Sequence, residues 1–243
     1  MRLSILIPSF EGAKRLDDLI PLLRRALVEY DREWECVIVD DGSGDANWRS
    51  IEKLCRKNRE VNALGLRENR GQQVATLTGL TSCRGMYIVT MDDDLEQRPE
   101  EIPQLLGKLE EGFDLVYGVR PLAYGSLLRR LGGRLRDLLF RCLLRVPAGV
   151  RLSSFRAMRR QLVDRILTGP CPYPYLSAMA LGLNPAAASL KFDPTERRLG
   201  RQNLRRLILT LIRIAWAYGT PGSIRAKPFA PPPISRRCGE AHE

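Results

Sequence analysis

The stretch GMYIVTMDDDLEQRP, residues 85–99, sets a short apolar run directly against three adjacent aspartates, Asp92, Asp93 and Asp94. The run MYIVTM (86–91) is apolar and β-branched without alternation, the pattern of a strand buried on both faces. Four more runs have the same character: LSILIP (3–8), WECVIVD (34–40), VNALGL (61–66) and FDLVYG (113–118). Helical patterns fall between them. Over 13–30, Leu16, Leu19, Ile20, Leu23 and Leu27 make one stripe, and 46–58, 71–84 and 99–111 follow, the last opened by Pro99 at a helix-start position. Strand and helix in alternation predict an α/β fold, a mostly parallel sheet with helices on both faces.

In such a sheet ligands gather at the carboxyl ends of the strands. Those ends carry Pro8 to Gly12, DDGSGD (40–45) and DDDLEQ (92–97), so two carboxylate clusters converge on one rim. Asp and Gly make good turns after strands, which accounts for DDGSGD as readily as a binding role does. Three adjacent anions repel one another, and a turn needs only one of them. A hard divalent cation relieves that repulsion, taking oxygen ligands from Asp92 and Asp94 and leaving open positions for a diphosphate.

Composition narrows the partners. The chain has 243 residues, 44% of them hydrophobic, enough for one main domain. Lys and Arg outnumber Asp and Glu by 39 to 28, a formal net charge of +11, which favours an anionic partner: phosphate, nucleic acid or a lipid headgroup. A nucleic-acid binder would present a basic surface without an acidic centre, so no nucleic-acid partner is expected. The six cysteines are scattered with no C-x-x-C pair, which speaks against zinc and a disulfide framework and for a reducing compartment. The only histidine is His242, so any proton transfer falls to carboxylates or water. The most apolar later segment, LILTLIRIAWAYG (207–219), is shorter than a membrane span and interrupted by Arg213. The prolines and charges of 226–243 read as a disordered tail.

Four segments in order, SILIPSFEGAKRL, VIVDDGSGD, ENRGQQVATLTGL and TMDDDLEQRPEEIPQLL, resemble glycosyltransferase family 2, nucleotide-sugar-dependent enzymes of GT-A fold. The resemblance is to the members that act on polyprenyl phosphates, such as dolichyl-phosphate mannose synthases and their undecaprenyl-phosphate relatives. LSSFRAMRR (152–160) is similar to that group's S-x-F-R segment, and RRLGRQNL (197–204) stands where the group reads R-x-x-G-x-S-K-Y. Arg197 and Gly200 match there, whereas Gln202, Asn203 and Leu204 do not, and Arg198 or Arg201 stands in for the missing lysine. Elsewhere Glu11 and Gly12 occupy places usually held by Asn and Glu, Glu96 replaces Gln, and Asp93 replaces a small residue.

The resemblance implies an inverting, metal-dependent transfer from a UDP- or GDP-sugar to a polyprenyl phosphate. Pro8, Phe10, Glu11, Asp40, Asp41, Gly71, Gln72, Asp92, Arg197 and Arg201 are then the donor-binding residues. Asp92 and Asp94 hold Mg²⁺ or Mn²⁺, and Asp93, Glu96 and Arg120 are the catalytic candidates. A lipid phosphate is already an anion and needs no general base, which suits a chain without a usable histidine. A hydroxyl acceptor would need Asp93 or Glu96 as base and is the alternative; a catalytically degenerate GT-A scaffold is another.

Residues 1–120 are thus the nucleotide-sugar half of a single domain, and 121–225 its acceptor and membrane-surface half. In SLLRRLGGRLRDLLFRCLLRV (126–146) leucines fall at helical spacing with Arg129, Arg130 and Arg134 among the remainder. Such a helix lies in a membrane interface or packs on a core with a solvated basic face. The resemblance implies the former, with Arg156 also on the acceptor side. A second amphipathic helix is expected at about 202–218. Together these features predict a cytoplasmic enzyme, peripheral at the inner face of the membrane and without its own anchor.

Overall fold

The strand β1 (Leu3–Ser9) is buried along its whole length and sits in the middle of the sheet. It runs parallel to β2 (Trp34–Asp40) on one side and to β4 (Tyr87–Thr90) on the other. The computed structural model describes residues 3–28, 33–120, 146–193, 212–214, 216–218 and 226–239. With β3 (Val61–Leu66), β5 (Leu115–Val119), β6 (Arg156–Arg159), β7 (Ala187–Lys191) and β8 (Ile234–Cys238), the sheet order is β7-β5-β6-β4-β1-β2-β3-β8. Only β6 and β8 run antiparallel to their neighbours. The sheet is mostly parallel, as the alternating pattern predicts.

Helices α1 (Ala13–Ala26), α2 (Asp45–Lys57) and α4 (Ile102–Glu110) cover one face, where Leu16, Leu19, Ile20 and Leu105 join Ile5, Ile7 and Ile38 in one core cluster. Helix α3 (Gln72–Leu80) and helices Arg160–Thr168 and Leu176–Leu181 cover the other, around Leu6, Val37, Val39 and Ile88. Each fully buried Leu or Ile contributes about 1.5–3 kcal/mol. Ile5 and Ile7 face one layer and Leu6 the other, so a one-residue slip of β1 would exchange its faces. That pins the height at which the β1 loop leaves the sheet.

Three strands, β6, β7 and β8, lie outside the apolar runs. β6, with sequence RAMR, places Arg156 over the Tyr117 ring at 5.6 Å and Arg159 over the Tyr87 ring at 5.8 Å. Arg159 Nε also donates to Phe113 O at 2.9 Å. Aromatic faces and carbonyls thus satisfy cations in a strand with no apolar run. The expectation of a disordered tail over 226–243 is corrected by β8, which pairs with the open edge of β3. Arg236 lies over the Trp48 ring and pairs with Asp45, and Cys238 Sγ is 2.6 Å from Cys55 Sγ on α2. A charged strand of this kind covers an edge that would otherwise present unpaired backbone groups.

The basic helix expected at 126–146, including Arg129, Arg130 and Arg134, lies outside the described residues except for Val146. So do Arg197, Arg201 and most of 202–218. Among the described residues no helix is long and apolar enough to cross a membrane.

Candidate active site

The crevice opens where β1 and β4 part. Their pairing ends at Leu6 opposite Thr90, whereas β1 stays paired with β2 as far as Ser9 opposite Asp40. Pro8 brings no N–H to the ladder at this level. Met91 N makes a last bond to Leu6 O at 3.0 Å, and the chain then turns away as the acidic loop. The strand order reverses between β1 and β4, so this is the topological switch point at which open α/β sheets bind ligands.

Asp92 stands at the head of the loop under three neutral donors. Ser154 Oγ donates to its Oδ2 at 2.5 Å, Gln97 Nε2 to the same oxygen at 2.8 Å, and Gln72 Nε2 to Oδ1 at 2.5 Å. Gln97 Oε1 in turn accepts the Asp92 N–H at 2.9 Å, so one buried amide holds both ends of the residue. Burial pushes the Asp92 carboxyl above its ordinary range. Asp94 and Asp93 add to the rise, and the Ser154 bond and the Arg156 charge oppose it. Asp94 is exposed, and its Oδ1 accepts the Glu96 N–H at 3.0 Å. Glu96 is half-buried in the same loop.

Asp40 and Asp41 are both buried and hold loops. Asp41 accepts the Arg70 N–H at Oδ1 and the Gly71 N–H at Oδ2, each at 2.8 Å. Asp40 accepts the Ser43 N–H at 3.2 Å and Asn47 Nδ2 at 3.1 Å, and Asn47 Oδ1 takes the Ala13 N–H at 3.0 Å. Burial raises both carboxyls above the usual range. Glu11, with φ of 50°, donates its N–H to Ser43 Oγ and accepts the Gly44 N–H at Oε1, both at 2.9 Å. The left-handed backbone suits Asn better than Glu, and these bonds offset part of that strain. Gly42 has φ of 75°, and a Cβ there would lie 2.3 Å from the Glu68 carbonyl carbon. Only glycine lets the β2–α2 loop press against the loop that follows β3.

Arg120 is spent within the protein. Its Nη2 donates to both Glu101 oxygens at 2.6 and 2.5 Å, Nη1 to Glu96 O at 2.7 Å, and Nε to Asp193 O at 3.3 Å. It braces the acidic loop from behind, and its N–H groups already face protein acceptors. Lysine has no planar fork to reproduce this set. Arg120→Lys is therefore expected to cost about 2 kcal/mol of stability, read as a lower denaturation midpoint, while Arg120→Ala costs more.

Arg156, expected on the acceptor and membrane side, is 4% exposed in β6, donating through Nη1 to Ser177 Oγ at 2.8 Å. An interior strand position keeps it off any membrane surface; its charge instead offsets that of Asp92. Pro8, Phe10, Glu11, Asp40, Asp41, Gly71, Gln72, Asp92, Asp93 and Asp94 all gather at the crevice and its flanking loops. Sequence reasoning missed Ser154, Gln97, Asn47, Glu101, Ser9 and Arg15. Ser154 falls inside the S-x-F-R segment, Gln97 and Glu101 inside TMDDDLEQRPEEIPQLL, and Ser9 and Arg15 inside SILIPSFEGAKRL, so each had a signal; Asn47 had none.

The carboxylates suit a hard cation: Asp94 is exposed, and Asp92 lies two residues before it in the same loop. Among the described residues no three Asp, Glu, His or Cys side chains form a metal cage, so a cation held here keeps positions for other oxygen ligands. A family model for glycosyl transferase family 2 matches residues 4–167. The chain belongs to this family. Undecaprenyl-phosphate 4-deoxy-4-formamido-L-arabinose transferases of Salmonella choleraesuis and Salmonella newport are each 32% identical to it over 167 residues, 68% of this chain and 51% of theirs. This family 2 chain thus spans about half the length of those curated relatives.

Among solved structures, glucosyl-3-phosphoglycerate synthase from Mycobacterium tuberculosis, in complex with Mn²⁺, UDP and glucosyl-3-phosphoglycerate, superposes with a TM-score of 0.62 at 20% identity, covering 90% of this chain and 81% of that one. Mannosyl-3-phosphoglycerate synthase from Rubrobacter xylanophilus gives 0.63 at 19%, covering 90% and 73%. The family 2 chain therefore has the GT-A fold, as its motifs predict.

Proposed function

We propose that this chain transfers a sugar from a UDP- or GDP-sugar to a polyprenyl phosphate, with inversion at the anomeric carbon. The observation that carries this reading is the acidic crevice between β1 and β4, in a chain 32% identical to undecaprenyl-phosphate sugar transferases. Asp94 and Asp92 are the residues that would hold Mg²⁺ or Mn²⁺, which when bound offsets the charge of the departing diphosphate. Phe10, 49% exposed, offers an aromatic face for a nucleobase, and Asp41 fixes the Arg70–Gly71 backbone on the opposite wall. Arg197 and Arg201 supply positive charge for the donor diphosphate.

A lipid phosphate attacks as an anion and hands no proton to the protein, in keeping with a chain whose sole histidine is His242. Arg129, Arg130 and Arg134 bring the acceptor side to an anionic membrane surface on the cytoplasmic face. Calorimetry with UDP and GDP, each with Mn²⁺ and with EDTA, is expected to give metal-dependent binding of one nucleotide. Turnover of the matching sugar donor is then expected with undecaprenyl phosphate and not with saccharide acceptors. The reverse acceptor preference would overturn the lipid-phosphate assignment, and a folded protein that binds neither nucleotide would be a scaffold.

A further inference from the structure

Asp93, although it lies between the two candidate metal ligands, is bound to the opposite wall of the crevice. Ser9 Oγ donates to its Oδ2 at 2.6 Å and Arg15 Nη2 to the same oxygen at 2.9 Å. Arg15 Nη2 also reaches Phe10 O at 3.2 Å, so one guanidinium ties the acidic loop to the loop after β1. The Asp93 side chain is only 12% exposed. An exposed ion pair holds its partners weakly, and least where both chains move freely. Here Arg15 is 43% exposed, but the Asp93 carboxylate is largely buried, shares its oxygen with a hydroxyl and joins segments 84 residues apart.

Gly12 makes the room. A Cβ built on Gly12 would fall 1.9 Å from Asp93 Oδ2, 2.2 Å from Ser9 Oγ and 2.8 Å from Arg15 Nη2, distances that real Cβ contacts essentially never show. The carboxylate of residue 93 thus occupies the volume that a side chain at residue 12 would fill. One position or the other can supply it, but not both.

We infer that Asp93 is a positioning residue, one that braces the acidic loop to the β1–α1 loop from the space left by Gly12, and that a carboxylate carried at position 12 can replace it when residue 93 is small. The inference deepens the proposed function, because the two braced loops are the walls of the donor crevice. A shift of about 1 Å between such walls is enough to lose on the order of 10²-fold in activity. Asp93 acts through those loops, with its carboxylate committed to Ser9 and Arg15, and the general-base role considered for it is not needed.

The test is an exchange cycle of Asp93→Ala, Gly12→Glu and the double variant, read by thermal midpoint and by affinity for the nucleotide that the unmodified protein binds. Each single change is expected to lower the midpoint and to weaken nucleotide binding about tenfold. The double variant should regain most of the midpoint and bind within about twofold of the original. A double variant no better than the sum of the singles would overturn the inference. Should Gly12→Glu not fold, Gly12→Ala serves: it should be harmful beside Asp93 and clearly less so in the Asp93→Ala background, where Ser9 Oγ and Arg15 Nη2 lose the carboxylate that holds them against the new Cβ, and equal harm in both is the contrary result. The midpoints judge the brace even if no nucleotide binds at all, an outcome that would remove the proposed function and leave the coupling standing.

Discussion

Asp92→Asn and Asp94→Asn are each expected to reduce metal-dependent nucleotide binding by at least about 100-fold while costing the fold little or nothing. For Asp94 the reason is exposure: it accepts one backbone N–H, and an asparagine oxygen accepts that bond as well. Asp92 is the more informative position. It is penalised in the native state first by burial and then by the charges of Asp94 and Asp93, so an uncharged isostere removes a cost. The Asp92→Asn variant should match or exceed the original in stability, by up to about 1 kcal/mol at neutral pH.

The pH dependence follows in sign. A carboxyl whose native pKa is raised contributes its full stability below the unfolded value of about 3.9 and loses it as pH rises through the native value. Asparagine does not titrate. The midpoint of the variant minus that of the original should therefore grow from mildly acidic to neutral pH, with other carboxylates cancelling in the difference. A variant that is clearly less stable at neutral pH would mean that the Ser154, Gln97 and Gln72 bonds to the ionised group outweigh its desolvation. Retained metal-dependent binding in one of the variants would remove that residue from the candidate metal site.

What the sequence disclosed and what it hid divide along one physical line. Strands buried on both faces must be apolar throughout, so β1 to β5 are legible as runs, and parallel topology then assigns the ligand rim without coordinates. The acidic loop was legible because three adjacent carboxylates have no structural excuse. The partner of each polar side chain was not, since it depends on which loops approach in space. Ser9 and Asp93 are 84 residues apart, and Asp92 and Ser154 are 62. Arg120 and Arg156 read as catalytic and acceptor-side groups because an arginine in isolation looks available; Glu101 and Ser177 become visible as their partners only after folding. β6 and β8 were hidden for a related reason, as their arginines are satisfied by rings, carbonyls and an aspartate brought from elsewhere.

Asp41→Ala should lower stability by about 3 kcal/mol and, with it, disable the nucleotide wall. The carboxylate is 3% exposed, and each oxygen accepts one backbone N–H, from Arg70 and from Gly71. Alanine removes the buried carboxylate that accepts both N–H groups, and each such loss costs about 1–3 kcal/mol. In a chain of this length the loss corresponds to about 10 °C in thermal midpoint. Asparagine keeps one acceptor and turns its amide donor toward the other N–H, so Asp41→Asn should fall between the two. The functional effect reaches Asp92, because Gly71 precedes Gln72, whose amide donates to Asp92 Oδ1. Release of the Arg70–Gly71 backbone therefore loosens both the loop after β3 and one of the three donors that hold the head of the acidic loop. Hydrogen exchange at the Arg70 and Gly71 amides gives the direct readout: both should be protected in the original and fast in Asp41→Ala. Unchanged protection in the variant would mean that those amides are held by something other than Asp41, and its place in the crevice wall would fall with it.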